Sequence, residues 1–191
     1  MTELIAEPSK PVTLPELRQM LDLYRREIAG KTSRRVDKSD DLGPLVERLK
    51  AVCEKLGGAG LAAPQIGTYW RVAIARNGDG QMDVLVNPEI ANLGGRDLFE
   101  SEGCLSLPPY DQATARVYRS EIATIKTGTI EDPEAAHFKV YKGLPARIVQ
   151  HEIDHLNGVF FIDHLGPVAK GIVLRRYGRY LLEEEKTASS R

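Results

Sequence analysis

Cysteine is scarce: the 191-residue chain holds two, Cys53 and Cys104. Two thiols are too few for the disulfide framework that staples small secreted domains. Net charge is nearly absent too, at −1 from 26 basic and 27 acidic side chains. Long-range attraction to DNA or an anionic membrane is therefore not expected. No apolar run approaches the ~20 residues of a membrane span. The opening MTELIAEPSKPVT carries acidic residues and lacks the apolar stretch of a signal peptide. There is no internal repeat and no low-complexity tract. The expectation is a cytoplasmic chain with reduced thiols.

What is present suits a packed core. Apolar residues make up 42% of the chain, and its length favours one domain. Residues 1–12 read as a loose arm, and apolar spacing in LPELRQMLDLYRREIA predicts a helix over 14–29. GKTSRRVDKSDD, 30–41, reads as a loop. GPLVERLKAVCEKLGG predicts a second helix, with Leu45, Val46, Leu49, Val52, Cys53 and Leu56 on one face and Gly57 as the stop. WRVAIAR, MDVLVNP, RSEIATIKT and HFKVYK predict strands between 70 and 141. PARIVQHEIDHLN predicts a proline-started helix closed by Gly158, and a last helix is expected over about 167–185. Helices, then strands, then helices suggest α+β.

Within the third of these predicted helices stands HEIDH. His151 and His155 are four apart, with Glu152 between them, a spacing that suits a hydrolytic metal site. On a helical wheel with Ile148 at zero, Leu156, Val149 and Ile153 fall at about 80°, 100° and 140°. Gln150, Asp154 and Asn157 form a polar face at about 180–240°, and the histidines sit at about 300° and 340°. Glu152 falls at about 40°, between Ile148 and Leu156. A carboxylate on an apolar ridge costs several kcal/mol unless paired or protonated. Beside a metal it suits general-base work. The plain alternative is a polar helix end whose histidines pair locally.

Two histidines leave a ligand missing. The extended zinc-protease pattern needs His at 161, where the chain has Phe. His164 is out of register, and Glu183, Glu184 and Glu185 read as a solvated helix end. Upstream, ESEGCLSLP offers Cys104 in a Gly- and Ser-flanked turn, and thiolates favour zinc or iron(II). Cys53 lies on the apolar stripe of its helix and reads as a small buried hydrophobe. GGAGLAAPQIG, 57–67, lacks the Lys-Ser/Thr of a P-loop and follows a helix, so it is not a dinucleotide fingerprint. Its small residues let a backbone approach closely, and Gln65 offers an amide donor.

Taken in order, GAGLAAPQ (58–65), EGCLS (102–106) and QHEIDH (150–155) resemble the motifs of peptide deformylases. The resemblance covers roughly residues 43–185. It implies antiparallel strands packed around a central helix carrying HExxH, with N-terminal helices and a C-terminal helix. It implies a single catalytic domain, 1–191, with a divergent N-terminal region to 41, a core over 42–166 and a C-terminal helix and tail over 167–191. The activity it implies is removal of the formyl group from the N-terminal methionine of new proteins, releasing formate. Cys104, His151 and His155 would hold one divalent metal with water in the fourth position. Iron(II) would be native, with zinc, nickel or cobalt able to replace it. Glu152 would take a proton from the water and return it to the leaving amine. Gln65 and the Leu105 backbone N–H would hold the oxyanion. Gly58, Ala59, Gly60 and Gly103 would bind substrate, and Glu102 would stand behind the ligands, paired with an arginine.

The chain departs from the family pattern at its beginning, where no Asp-Pro-x-Leu segment stands. The stretch after the cysteine, PPYDQATARVYR, is longer than the family pattern, and Arg116 and Arg119 both compete for a substrate contact. His137 and His164 have no supporting pattern. Arg175, Arg176 and Arg179 form a basic patch. Some family members contact the ribosome through such a helix, but a solvated face is the simpler reading. Two rivals remain: a zinc protease with a distant third ligand, and a relative that binds peptide without cutting it.

Overall fold

The computed structural model describes residues 30–107 and 113–189. The helix expected over 14–29 lies outside them. The next one, α1 (Gly43–Lys55), forms where its pattern predicts. Pro44 sits in the first turn, where its missing N–H costs nothing. Gly57, with φ 65°, follows the helix in the left-handed region. The stripe Leu45, Val46, Leu49, Val52 and Cys53 is buried and packs with Leu61, Val72, Ile74 and Val86.

Five described strands make one antiparallel sheet in chain order: β1 (Gly60–Ala62), β2 (Val72–Arg76), β3 (Met82–Glu102), β4 (Ala115–Gly128) and β5 (His137–Lys142). Val72 to Ala75 are all buried. The cause is cover on both faces. Val72 and Ile74 pack with α1, while Ala73 and Ala75 join the residues of a second helix, α2 (Leu144–Leu156). A doubly covered strand reads as a continuous apolar run rather than an alternation.

β3 runs for 21 residues, well past the MDVLVNP that marks its start. It absorbs three register shifts, between Val86 and Glu89, Ile90 and Asn92, and Gly94 and Asp97. At the first of these Asn87 takes φ 49°. Its buried side chain accepts from Val36 N and donates to the Val36 and Pro133 carbonyls. The strand then continues to Glu102, which pairs with Ala115.

Helix α2 starts with Pro145 in its first turn and is buried from Ala146 to Ile153, then at His155 and Leu156. It lies against β1, β2, β4 and β5. Val149 and Leu156 are fully buried, each stabilising the docked helix by ~1.5–3 kcal/mol. Part of the polar face is turned to the protein. The Gln150 amide donates to Ser120 O and accepts from Ser120 N on β4, and Asn157 accepts from Arg71. Beyond the helix, residues 30–33 form a strap: Gly30 N donates to Gly158 O at 2.7 Å and Ser33 N to Leu156 O at 2.8 Å. Gly158 has φ 73°, and a Cβ there would stand 2.5 Å from Lys31 N.

The last described helix, α3 (Pro167–Ser189), extends a turn past the expected end. Its Val173 and Tyr177 cluster with Phe160, Phe161, Leu107 and Cys104. Among the described residues no helix is long and apolar enough to cross a membrane.

Candidate metal centre

The site is assembled from the end of β3, the turn after it, and α2. One turn of helix separates His151 from His155, so both imidazoles leave α2 on one side. The turn after Glu102 brings Cys104 to meet them, closed by a bond from Leu107 N to Cys104 O at 2.9 Å. Ligand atoms of Cys104, His151 and His155 lie within 4.8 Å of one another. Cys104 Sγ is 3.3 Å from His155 Nε2, which is 3.0 Å from His151 Nε2. The rings meet edge to face. All three residues are buried.

The chemistry of these donors fits a divalent cation. His151 Nδ1 lies 2.6 Å from Glu102 Oε1, so the proton belongs on Nδ1 and the Nε2 lone pair turns inward. A thiolate and two imidazole lone pairs then converge, which is unfavourable unless a positive charge sits among them. The ionisation of the pair leads to the same conclusion. Burial pulls His151 down, but its bonds to Cys104 and Glu102 outweigh this and hold it well above its ordinary value. Burial, then the charge on His151, holds His155 well below. Without an ion His151 is therefore the protonated member of the pair, and a cation among the donors would take the place of that proton.

Behind His151 stands Glu102. Arg119 grips its carboxylate with Nη2 on Oε1 at 2.8 Å and Nε on Oε2 at 3.2 Å. Arg147 adds Nη1 on Oε2 at 2.9 Å. Burial opposes ionisation here, but His151 and Arg119 hold the carboxyl well below the usual carboxylate range. Arg119 also donates to Asp154 Oδ2 at 2.5 Å, and His164 Nε2 lies 2.7 Å from the same oxygen.

Glu152 is buried, with Oε2 lacking a hydrogen-bond partner among the described residues. Burial pushes it up to about 7, against the pull of His151 and Arg119. Its Oε1 occupies space that a side chain at Gly60 would need. Gln65, in the short 3-10 turn after β1, is oriented by its neighbours. Its Oε1 accepts from Ala62 N at 2.8 Å, so Nε2 must point the other way, to Ser106 Oγ at 3.1 Å and Cys104 Sγ at 3.7 Å. Gly58 packs so closely on the cysteine turn that a Cβ would stand 2.8 Å from Leu105 Cδ1.

The structure therefore brings Gln65, Glu102, Cys104, His151, Glu152 and His155 into one buried cluster, with Gly58 and Gly60 against its wall. Arg119 is committed to Glu102 and Asp154, while Arg116 is exposed, donating to Phe99 O and stacking on the Phe99 ring. His137 is exposed at the start of β5. The residue that the sequence reading missed is Arg147. The available signal was its position four residues before His151, on the ligand side of the wheel.

With the α+β fold, this donor set and adjoining carboxylate have the character of the hydrolytic metalloenzymes. The family model described as Polypeptide deformylase matches residues 20–171. A peptide deformylase of Desulforudis audaxviator is 36% identical over 151 residues, 77% of this chain and 93% of its own length. The structure superposes on a Plasmodium falciparum peptide deformylase with TM-score 0.71 at 30% identity, over 88% of this chain and 96% of that one. An Acinetobacter baumannii class I type b peptide deformylase, solved with Met-Ala-Ser bound, gives 0.65 at 31%, over 73% and 94%. The chain belongs to the peptide deformylase family. It is a hydrolase of protein biosynthesis, from a family of metalloenzymes that remove the N-formyl group. The family match starts at residue 20 and stops at 171, so it reaches further toward the N-terminus than the motifs imply and leaves most of α3 outside.

Proposed function

We propose that this chain removes the formyl group from the N-terminal methionine of newly made proteins, with its buried Cys–His–His cluster as the reaction centre. The observation that carries this reading is the convergence of Cys104, His151 and His155 within 4.8 Å beside Glu152, whose Oε2 has no partner among the described residues. Cys104, His151 and His155 would hold one divalent cation, natively iron(II), with zinc, nickel or cobalt as replacements. When bound, such a cation polarises the formyl carbonyl and acidifies a water.

The protein's own groups do the rest. Glu152, raised to about 7 by burial, accepts a proton from the attacking water and delivers it to the leaving amine, a role that suits a group whose pKa lies near the working pH. Gln65 Nε2 and the Leu105 N–H donate to the oxygen that gains charge. Glu102 holds the His151 ring and tautomer. β1 is the outer strand of the sheet order. Gly58, Ala59, Gly60 and Gly103 receive the peptide as an added strand, giving affinity through main-chain bonds while one pocket reads the first side chain. The Met-Ala-Ser complex of the Acinetobacter relative supports a tripeptide-length site of this kind.

In this reading the chain acts as a single catalytic domain in the cytoplasm, built around the HExxH helix. It uses neither DNA nor membrane, and any ribosome contact through α3 is transient. Formate release from formyl-Met-Ala-Ser tests the activity, with elemental analysis confirming the metal. Full retention of metal in Cys104→Ala would sink the assignment and favour a protease-like ligand set. A metal-loaded chain that releases no formate would mark it as a peptide binder only.

A further inference from the structure

The Glu102 carboxylate accepts four hydrogen bonds from three residues, and one of the three has no counterpart in the reading above. Oε1 takes His151 Nδ1 and Arg119 Nη2, while Oε2 takes Arg119 Nε at 3.2 Å and Arg147 Nη1 at 2.9 Å. Both arginines are shared: Arg119 Nη1 donates to Asp154 Oδ2, and Arg147 Nε lies 3.5 Å from the more exposed Glu100 Oε2. The shorter bond to Glu102 Oε2 is the one from Arg147. That guanidinium is buried, 5% exposed, and anchored at its far side by Leu98 O at 2.8 Å and Val117 O at 3.4 Å. These carbonyls belong to β3 and β4, on either side of the ladder that leads to Glu102 and Arg119.

Arg147, His151 and His155 follow one another at intervals of four on α2. On the wheel they fall at about 260°, 300° and 340°, one ridge of the helix. The same ridge thus carries two ligand side chains and the cation that pins the carboxylate behind them. We infer that Arg147 is a positioning residue: it fixes Glu102, and through Glu102 the orientation of the His151 ring at the metal site. The inference rests on the reading of Cys104, His151 and His155 as ligands. A guanidinium suits the place because its planar fork serves carboxylate and carbonyls at once, which an ammonium cannot do. Partners that orient a ligating histidine typically contribute 10–100-fold to metal affinity.

The test uses the full chain loaded with cobalt(II) or zinc(II), with affinity read by chelator competition and the ligand field by the visible cobalt spectrum. Arg147→Met should weaken metal binding by ~10–100-fold and alter the cobalt spectrum, and Arg147→Lys should recover part of the loss. In a Glu102→Gln background the Arg147→Met loss should shrink below about twofold, since the two act through one contact. A role confined to holding Leu98 and Val117 would lower thermal stability while leaving affinity and spectrum at their parent values. That result would overturn the inference, as would equal losses in both backgrounds. If Arg147→Met does not fold, Arg147→Lys alone decides: parent affinity and spectrum count against the inference. A missing thiolate-to-cobalt band in the unaltered chain would instead overturn the ligand assignment, and the inference with it.

Discussion

Gly60 leaves empty the space that the Glu152 carboxylate occupies: a Cβ on Gly60 would stand 2.5 Å from Glu152 Oε1 and 2.9 Å from its Cδ. The flexible side chain, not the β1 backbone, must give way. Gly60→Ala should therefore leave the fold intact and displace the carboxylate. An expected loss in kcat/KM of ~10²–10⁴ follows if Glu152 carries the proton. Steady-state kinetics beside far-UV circular dichroism checks this, and near-parent turnover would remove Glu152 from that role.

Gln65 has its amide fixed by Ala62 N on one side and Ser106 Oγ on the other. Gln65→Glu keeps the acceptor that Ala62 needs and removes the donor at the site. Turnover should fall by ~10²–10³ with KM little changed. A rise in KM at constant kcat would mean that the amide binds ground-state substrate instead.

Removal of the metal should abolish formate release and lower thermal stability together. A site occupied at about 100 times its dissociation constant contributes ~2.7 kcal/mol to the folded state. Dialysis against a chelator, then reloading with iron(II) under anaerobic conditions, should reverse both losses. Exposure of the iron form to air should inactivate it through Cys104 sulfur oxidation, while the zinc form persists. Paired activity and melting curves check this.

Cys53 supplies a pH dependence away from the metal. Burial, then the nearby Glu152 charge, pushes its thiol up to about 12 from an ordinary 9.0. Between those values the unfolded chain binds fewer protons than the folded one, so stability falls as pH rises through the window. The slope is about 1.4 kcal/mol per pH unit. Tyr141, raised above its ordinary 10.0 by burial and its bond to Asp83, adds a similar decline from that pH upward. Cys53→Ala should flatten the alkaline limb of a urea-midpoint profile from pH 9 upward. An unchanged limb would count against the shift.

Much of this was legible where one rule acted alone. α1 and α2 followed from apolar spacing, an early proline and a following glycine, because their buried stripes are continuous. β2 read as an apolar run because both its faces are covered. β3 beyond Pro88 was not legible: Pro88 and Gly94-Gly95 are ordinary turn signals, and only tertiary pairing with β4 turns them into bulges. Glu102 was expected to meet one arginine and meets two. Arg147 stayed hidden because a cation on a helix usually reads as solvent-facing, and its partners come from strands 30 and more residues earlier. The Glu152 position on an apolar ridge was readable from the wheel, whereas the lack of a partner for its Oε2 among the described residues needed the fold.

Cys104 packs with Phe160, Phe161, Val173 and Tyr177, whereas the apolar face of the helix bearing the histidines packs with the sheet through Leu85, Ala123 and Ile125. The donor atoms thus come from two packed units, which also touch directly through Glu102 on His151 and the Phe160 ring on His155. An ion held by all three donors is a removable cross-link between those units, closing the long chain loop from Cys104 to His151. Its loss frees one unit to breathe against the other. Amide exchange in the cysteine turn and α3 should then quicken before that in α2, so the order in which the protein loosens is written in which cluster each ligand belongs to.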